Sequence, residues 1–289
     1  MGLVTGPTAQ DECPMSETTP SALWRAPLPP DLDARLTRWL TDGLAAAKAS
    51  RRVTVFCRAD DVGVPGRRFE RLVRLFQRHR APLGLAVVPA WLTPARWERL
   101  AALTGGGNGL WCWHQHGWRH VNHEPAGKKQ EFGPARPRSQ VAADLRRGRE
   151  RLEALMGPAF YPAFTPPWNR CSAEALELIR EAGYRAVSRS SDSRPQAPPS
   201  LPELAVNLDL HTRREPTAEC AWQGLGEELQ AAVATGRCGI MIHHQRMNAA
   251  AAAFLDALLA ALTARRGFQL TGMPALAENG RRTGNGRTG

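Results

Sequence analysis

The chain has 289 residues, a formal net charge of +11 and 43% hydrophobic side chains, enough to bury one large core or two small ones. No run of eighteen apolar residues exists to span a bilayer, and the opening "MGLVTGPTAQDECPMSETTP" lacks the basic start and apolar stretch of an export signal, so a cytoplasmic location without a membrane span is expected. The positive charge does not predict a nucleic-acid partner, because the lysines are only Lys48, Lys128 and Lys129 and the arginines are dispersed over amphipathic segments such as "RRFERLVRLFQRHR" (67–80).

Residues 1–30 are polar, Pro-rich and aperiodic and read as a disordered N-terminal arm; the tail 278–289, "ENGRRTGNGRTG", reads the same way. Between them, 31–277 reads as a single domain of short apolar runs alternating with helix-length amphipathic ones. Strands are expected at 52–58, 83–89, 109–114, 159–164, 184–189, 204–210, 238–243 and, more weakly, 268–272. Helices are expected at 67–80, 94–103, 139–156, 172–182, 218–235 and 249–266. Repeated βα units of this kind build a parallel α/β sheet, and seven or eight strands favour closure into a barrel. The six cysteines show no CxxC pair, and Cys57, Cys112 and Cys238 lie in apolar runs, so no disulfide frame is expected.

In such a barrel the chemistry sits at the carboxyl ends of the strands, where the βα loops converge. Four expected strands deliver unusual residues there: "RADD" with Asp60 and Asp61, "HQHGWRH" with His116 and His120, "FTPPWNR", and "HHQ" with His243 and His244. Each feature has a bland alternative, a solvated turn for the aspartates or a backbone-bonded imidazole for a strand-end histidine. Together they suit a catalytic divalent metal, which takes three protein ligands and leaves one position open. His116, His120 and one of the two aspartates would be the ligands; the other aspartate would accept a proton from water, and a histidine after the seventh strand would protonate a leaving group. The basic loop "GKKQEFGPARPRS" (127–139), with Lys128 and Lys129, could meet an anionic part of a substrate.

"RADDVG", "HGWRH", "FTPPWN" and "IMIHH" resemble, in order and approximate spacing, the motifs of the NodB-homology polysaccharide deacetylases, carbohydrate esterase family four, over about Val53 to Met273. The resemblance implies an irregular (β/α)7-8 barrel and one divalent ion, zinc first, held by Asp61, His116 and His120. It also implies Asp60 as general base and His243 or His244 as general acid, with His243 preferred because it directly follows "GIMI". Pro167 and Trp168 match a substrate-groove segment whose Trp168 amide would hold the oxyanion. The implied activity is hydrolytic removal of an acetyl group, N-acetyl first, from a small-molecule or oligosaccharide glycan precursor.

Two departures bear on this expectation. Thr165 stands where many members carry an arginine that steadies the base, leaving Arg58 or Arg170 as substitutes. The Asp-to-Trp motif that tunes the acid histidine is not recognisable, with Asp192 and Asp209 as candidates. Two other readings compete: a non-catalytic carbohydrate-binding relative, and a non-haem iron oxygenase using the same two histidines and carboxylate, which would usually sit on an all-β scaffold.

Overall fold

The alternation of apolar and amphipathic segments becomes alternating strands and helices in the computed structural model, which describes residues 20–47, 52–105 and 109–285. In chain order these are α1 (Ala22–Arg25), α2 (Leu32–Ala46), β1 (Val53–Val62), α3 (Arg67–Arg78), β2 (Leu83–Val87), α4 (Pro94–Thr104), β3 (Trp111–His116), α5 (Arg138–Met156), β4 (Phe160–Thr165), α6 (Ala173–Glu181), β5 (Ala186–Val187), β6 (Leu208–Asp209), α7 (Ala218–Ala234), β7 (Arg237–Ile242), α8 (Ala249–Thr263), β8 (Phe268–Leu270) and α9 (Met273–Asn285). No described helix is long and apolar enough to cross a membrane.

All eight strands pair in parallel, in the order β5-β4-β3-β2-β1-β7-β6, with β8 against β1. β1 is ten residues long; it holds β7 along one edge and shares the other between β8 at Val53–Val55 and β2 from Cys57 onward. The curled sheet is a half-barrel whose outer strands are linked by an extended segment: the N–H groups of Leu204 and Val206 donate to the carbonyls of Val187 and Arg189, and Asn207 N–H donates to the Gly239 carbonyl. Helices flank the sheet, and the largest core cluster unites Val55, Leu85 and Ile240 from the strands with Leu36, Phe76, Leu225 and Leu258 from the helices.

Several helix starts are fixed by one side chain each. Thr93, Ser172, Thr217 and Asn248 accept hydrogen bonds from the backbone N–H three residues on, opening α4, α6, α7 and α8. Each satisfies a donor that the helix itself leaves orphaned. These caps set where the chain leaves the strand ends and enters the helices, and so set the βα loops.

The ends of the chain differ from expectation. Residues 1–19 and 286–289 lie outside the described residues, but 20–30 and 278–285 do not behave as loose polymer. Trp24 is buried, its indole N–H donates to the Leu210 carbonyl at 2.6 Å, and its ring packs on Trp222 and Phe254. Burying a large aromatic contributes about 1.5–3 kcal/mol, which offsets the ordering of a few residues. At the other end, Met273, Leu276 and Ala277 anchor α9, which carries on through the segment expected to be tail.

Candidate metal centre

The site forms where the carboxyl ends of β1, β3, β4 and β7 meet. Along β1 the residues alternate faces, so Arg58 and Asp60 project to the same side. They pair there: Arg58 Nε donates to Asp60 Oδ1 at 2.7 Å and Nη2 to Oδ2 at 2.8 Å. The same guanidinium also reaches Ser188 Oγ at 2.7 Å and Asn169 Oδ1 at 2.6 Å. Arg58 is fully buried and Asp60 3% exposed. Burial alone would raise the Asp60 carboxyl, but the Arg58 charge, with His116 and His243 nearby, outweighs it and holds Asp60 below the usual carboxylate range. Asp60 is therefore an ionised carboxylate with its orientation fixed from behind.

Asp61 leaves the strand regularity. Its φ is 59°, in the left-handed region, and the β1–β2 register shifts between Ala59 and Val62. This bulge turns Asp61 away from the direction of Asp60 and toward β3. His116 Nε2 lies 3.2 Å from Asp61 Oδ1 and His120 Nε2 lies 3.1 Å from the same oxygen. One donor atom from each of the three residues falls within 4.8 Å of the others, which makes this the one such cluster of histidine, cysteine and carboxylate donors among the described residues. His116 Nδ1 donates to the Thr165 carbonyl at 2.9 Å, so Nε2 is the nitrogen turned toward Asp61.

The electrostatics are those of donors held close together. Burial would raise Asp61, but the His116 hydrogen bond and the surrounding imidazoles depress it. For His116, burial acts downward and is more than reversed by Asp61 and Asp60, leaving it raised. For His120 burial prevails over Asp61, and the ring falls to about 4. The depressed Asp61 and the lowered His120 favour the ionised and neutral forms a metal requires, whereas the raised His116 would give up a proton on binding one.

The loop carrying His120 is held by a residue that no motif marks. The backbone N–H groups of Trp118, Arg119 and His120 donate to the carboxylate of Glu131 at 3.1, 2.6 and 3.1 Å. Glu131 is fully buried, and burial raises its carboxyl despite these three donors. His120 itself has φ 59°. Gly117, φ +59°, has no room for a side chain, since a Cβ there would stand 2.1 Å from Glu131 Oε2 and 2.6 Å from Pro167 Cγ. The tight approach places His120 against Trp168, ring centroids 4.5 Å apart.

Residues 52–187, from the residue before β1 through β5, match the family model described as polysaccharide deacetylase. Over this segment the chain is similar to the polysaccharide deacetylases. The β7 histidines lie outside the matched segment. Among solved structures, a polysaccharide deacetylase-type protein from Mycobacterium smegmatis is 18% identical, covers 82% of this chain and 94% of that one, and superposes with a TM-score of 0.61. A similar protein from Pseudomonas aeruginosa PAO1 is 15% identical, covers 80% and 92%, and gives 0.57. A family-four pseudoenzyme from Bacillus anthracis is 9% identical, covers 79% and 66%, and gives 0.51. At these identities the likeness is one of fold, and it matches the curled parallel sheet. No curated protein matches the sequence.

The remaining expected polysaccharide-deacetylase residues distribute unevenly. Arg58, not Arg170, meets Asp60; the Arg170 backbone N–H closes a turn onto the Pro167 carbonyl. Pro167 and Trp168 form the turn after β4, with Trp168 at φ 55° beside His120. The pairing of Ala59 with Ile242 puts His243 at the level of Asp60. His244 is buried edge-on against Phe69, and burial lowers it to about 4. Neither Asp192 nor Asp209 bonds to these histidines. Asp209 instead accepts from the backbone N–H groups of His211 and Thr212, while His211 Nδ1 accepts from the His243 N–H at 3.3 Å. Lys128 and Lys129 are exposed and form no ion pair among the described residues. The five described cysteines are free thiols.

Proposed function

We propose that the chain is a hydrolase that removes an acyl group, N-acetyl first, from a carbohydrate or glycan precursor, using one divalent metal ion. The observation that carries this reading is the convergence of Asp61, His116 and His120 beside the ionised Asp60. The residues fit a zinc-like ion. Two donor separations of 3.2 and 3.1 Å lie near the edge of about 3.4 Å expected of a tetrahedron with arms of ~2.1 Å. Two imidazoles and a carboxylate also suit zinc's borderline softness and leave a position open for catalysis. A parallel α/β fold supports this reading over an iron oxygenase, whose two-histidine-one-carboxylate site usually sits on an all-β scaffold.

When bound, the ion supplies Lewis acidity, polarising an acyl carbonyl and acidifying water at the site. Asp60, fixed by Arg58, takes a proton from the attacking water as the water oxygen bonds to the carbonyl carbon. The Trp168 amide, presented by the left-handed turn after β4, donates to the negative charge that develops on the carbonyl oxygen. His243, level with Asp60 just past the end of the neighbouring strand β7, gives a proton to the departing amine as the carbon–nitrogen bond breaks.

Metal analysis of purified protein coupled to acetate release from acetylated sugars and nucleotide sugars tests the reading. Asp60→Asn should retain zinc and lose hydrolysis, whereas Asp61→Ala should lose zinc on dialysis. Full retention of zinc by Asp61→Ala, or undiminished hydrolysis by Asp60→Asn, would overturn it.

A further inference from the structure

Beside the candidate metal centre lies a cavity of about 300 Å³ that the chemistry above does not use. Asp61 forms part of its wall, and so does His244. The rest is mainly carbon: Val64 and Pro65 from the loop after β1, Phe69 from α3, and Trp91 from the turn after β2. Phe69 and His244 are buried while the bordering Arg67 and Arg68 are exposed, so the cavity has an apolar inner end and a charged outer one. Trp91 also stands 5.9 Å from the His120 ring, so the cavity wall contacts two of the three metal-donor residues.

The size does not match an acetyl group. Beyond its carbonyl, acetyl offers one methyl, comparable to the share of a single water, roughly 30 Å³. Small-molecule pockets begin at about the volume seen here, and their apolar walls are matched by apolar ligand surface.

We infer that this cavity is an acyl subsite, and that the group the protein binds through its metal centre carries an apolar chain longer than acetyl. The inference rests on the metal-site reading above and deepens it, with a longer acyl chain in place of the acetyl group put first there. With the carbonyl at the metal, a linear chain of about six to eight carbons would run past Asp61 between Phe69 and Trp91. Each methylene that enters the apolar end should tighten binding roughly fourfold until the cavity is filled.

Gly66 allows a clean test. It lines the cavity, has an extended φ of −177° open to any residue, makes no side-chain cap for α3, and has nothing within 4 Å of where a Cβ would go. Gly66→Trp should therefore fold normally and occupy the space. The probes are n-alkyl hydroxamic acids of two to eight carbons, whose headgroup chelates zinc, titrated calorimetrically into the zinc-loaded full chain. The expected result is affinity rising at least tenfold from acetohydroxamate to octanohydroxamate, with the rise abolished in Gly66→Trp and acetohydroxamate affinity unchanged. Equal affinity along the series, with zinc bound, would overturn the inference alone. A chain-length dependence that persists in Gly66→Trp would also overturn it, since the chain would then lie elsewhere. Failure of the protein to bind zinc would overturn the metal reading and the inference with it.

Discussion

Arg58→Met tests whether the site is organised around a buried ion pair. The side chain is fully buried, as is nearly all of Asp60, and the guanidinium makes bonds of 2.7 and 2.8 Å to that carboxylate. Methionine fills much of the same volume but leaves Asp60 in the interior without its counter-charge. Removing one partner of a buried pair typically costs about 3–5 kcal/mol, a large part of the 5–15 kcal/mol that holds an ordinary domain together. Two further bonds, to Ser188 and Asn169, are lost as well. Without Arg58 the burial contribution prevails, so the Asp60 carboxyl should move from below the usual carboxylate range to above it. The sign follows from linkage. In the native protein the depressed Asp60 adds stability above its unfolded value, lost as pH falls through the folded one; in the variant the folded state takes up the extra proton, so the penalty should shrink on acidification. Urea unfolding of metal-free protein at pH 8 and pH 5 reads this directly. Adding Asp60→Asn to Arg58→Met should restore part of the lost stability, because no buried charge remains. A penalty under about 1 kcal/mol, typical of an exposed ion pair such as Arg74 with Glu70, and equal at both pH values, would refute the reasoning.

Three further outcomes are expected. Glu131→Gln keeps the side-chain shape but weakens its hold on the three N–H groups before and at His120, so zinc affinity should fall about 10- to 100-fold, as when outer-shell partners of metal ligands are removed, with little change in global unfolding; competition with a chromophoric chelator measures it. Gly117→Ala introduces a Cβ 2.1 Å from Glu131 Oε2 at a positive φ, and a loss of zinc binding with a lowered Tm is expected, whereas a wild-type Tm with full zinc occupancy would show that the loop has room. His114 is fully buried and lowered to about 4, first by desolvation, while its unfolded value is about 6.5. The unfolded chain therefore binds the extra proton between those values, and His114 should contribute stability that is complete above pH 6.5 and lost toward pH 4, by about 3 kcal/mol. His114→Gln should flatten the stability slope in that window by about one proton, measured by unfolding at half-unit intervals.

How legible the molecule was depends on whether a feature is written in neighbouring residues or in distant ones. "RVTVFCR" and "CGIMIH" announce β1 and β7 because central parallel strands are buried on both faces and need continuous apolar runs. β5 and β6 shrink to two residues each, Ala186–Val187 and Leu208–Asp209, because they lie where the curled sheet meets its own far side and the extended segment between them pairs only through single bridges. α2 is an element the expectation lacks, although Leu36, Trp39, Leu40 and Gly43 recur at helical spacing and are all buried; the Pro-rich stretch before it obscures the signal. The metal donors were readable because a His-x-x-x-His pair and an Asp-Asp pair at strand ends are unusual combinations. Arg58 was readable as one of two candidates, and the strand period of two favours it over Arg170. Glu131 was not readable: it sits among "KKQEFG" as one more charge in a basic loop, and its role exists only through backbone N–H groups that converge on it in space.

The backbone explains why so much of the surrounding structure is devoted to holding this one place. Among the described residues, five non-glycine positions have positive φ, and four of them, Asp61, His120, Trp168 and Asn169, lie at the candidate site. Each such residue costs of order 1–3 kcal/mol and persists only where its surroundings over-determine it. Those surroundings are identifiable here. The side-chain oxygen of Asn169 accepts from Arg58, the N–H of His120 is held by Glu131, and the carbonyl of Asp61 accepts from Gln245 Nε2 after β7. Left-handed backbone breaks the strand alternation at Asp61, so that two adjacent carboxylates stay at one site yet point at different partners, one at Arg58 and one at two imidazoles. An unstrained β1 would send residue 61 to the opposite face of the sheet from residue 60, and the metal donors could not gather beside the base.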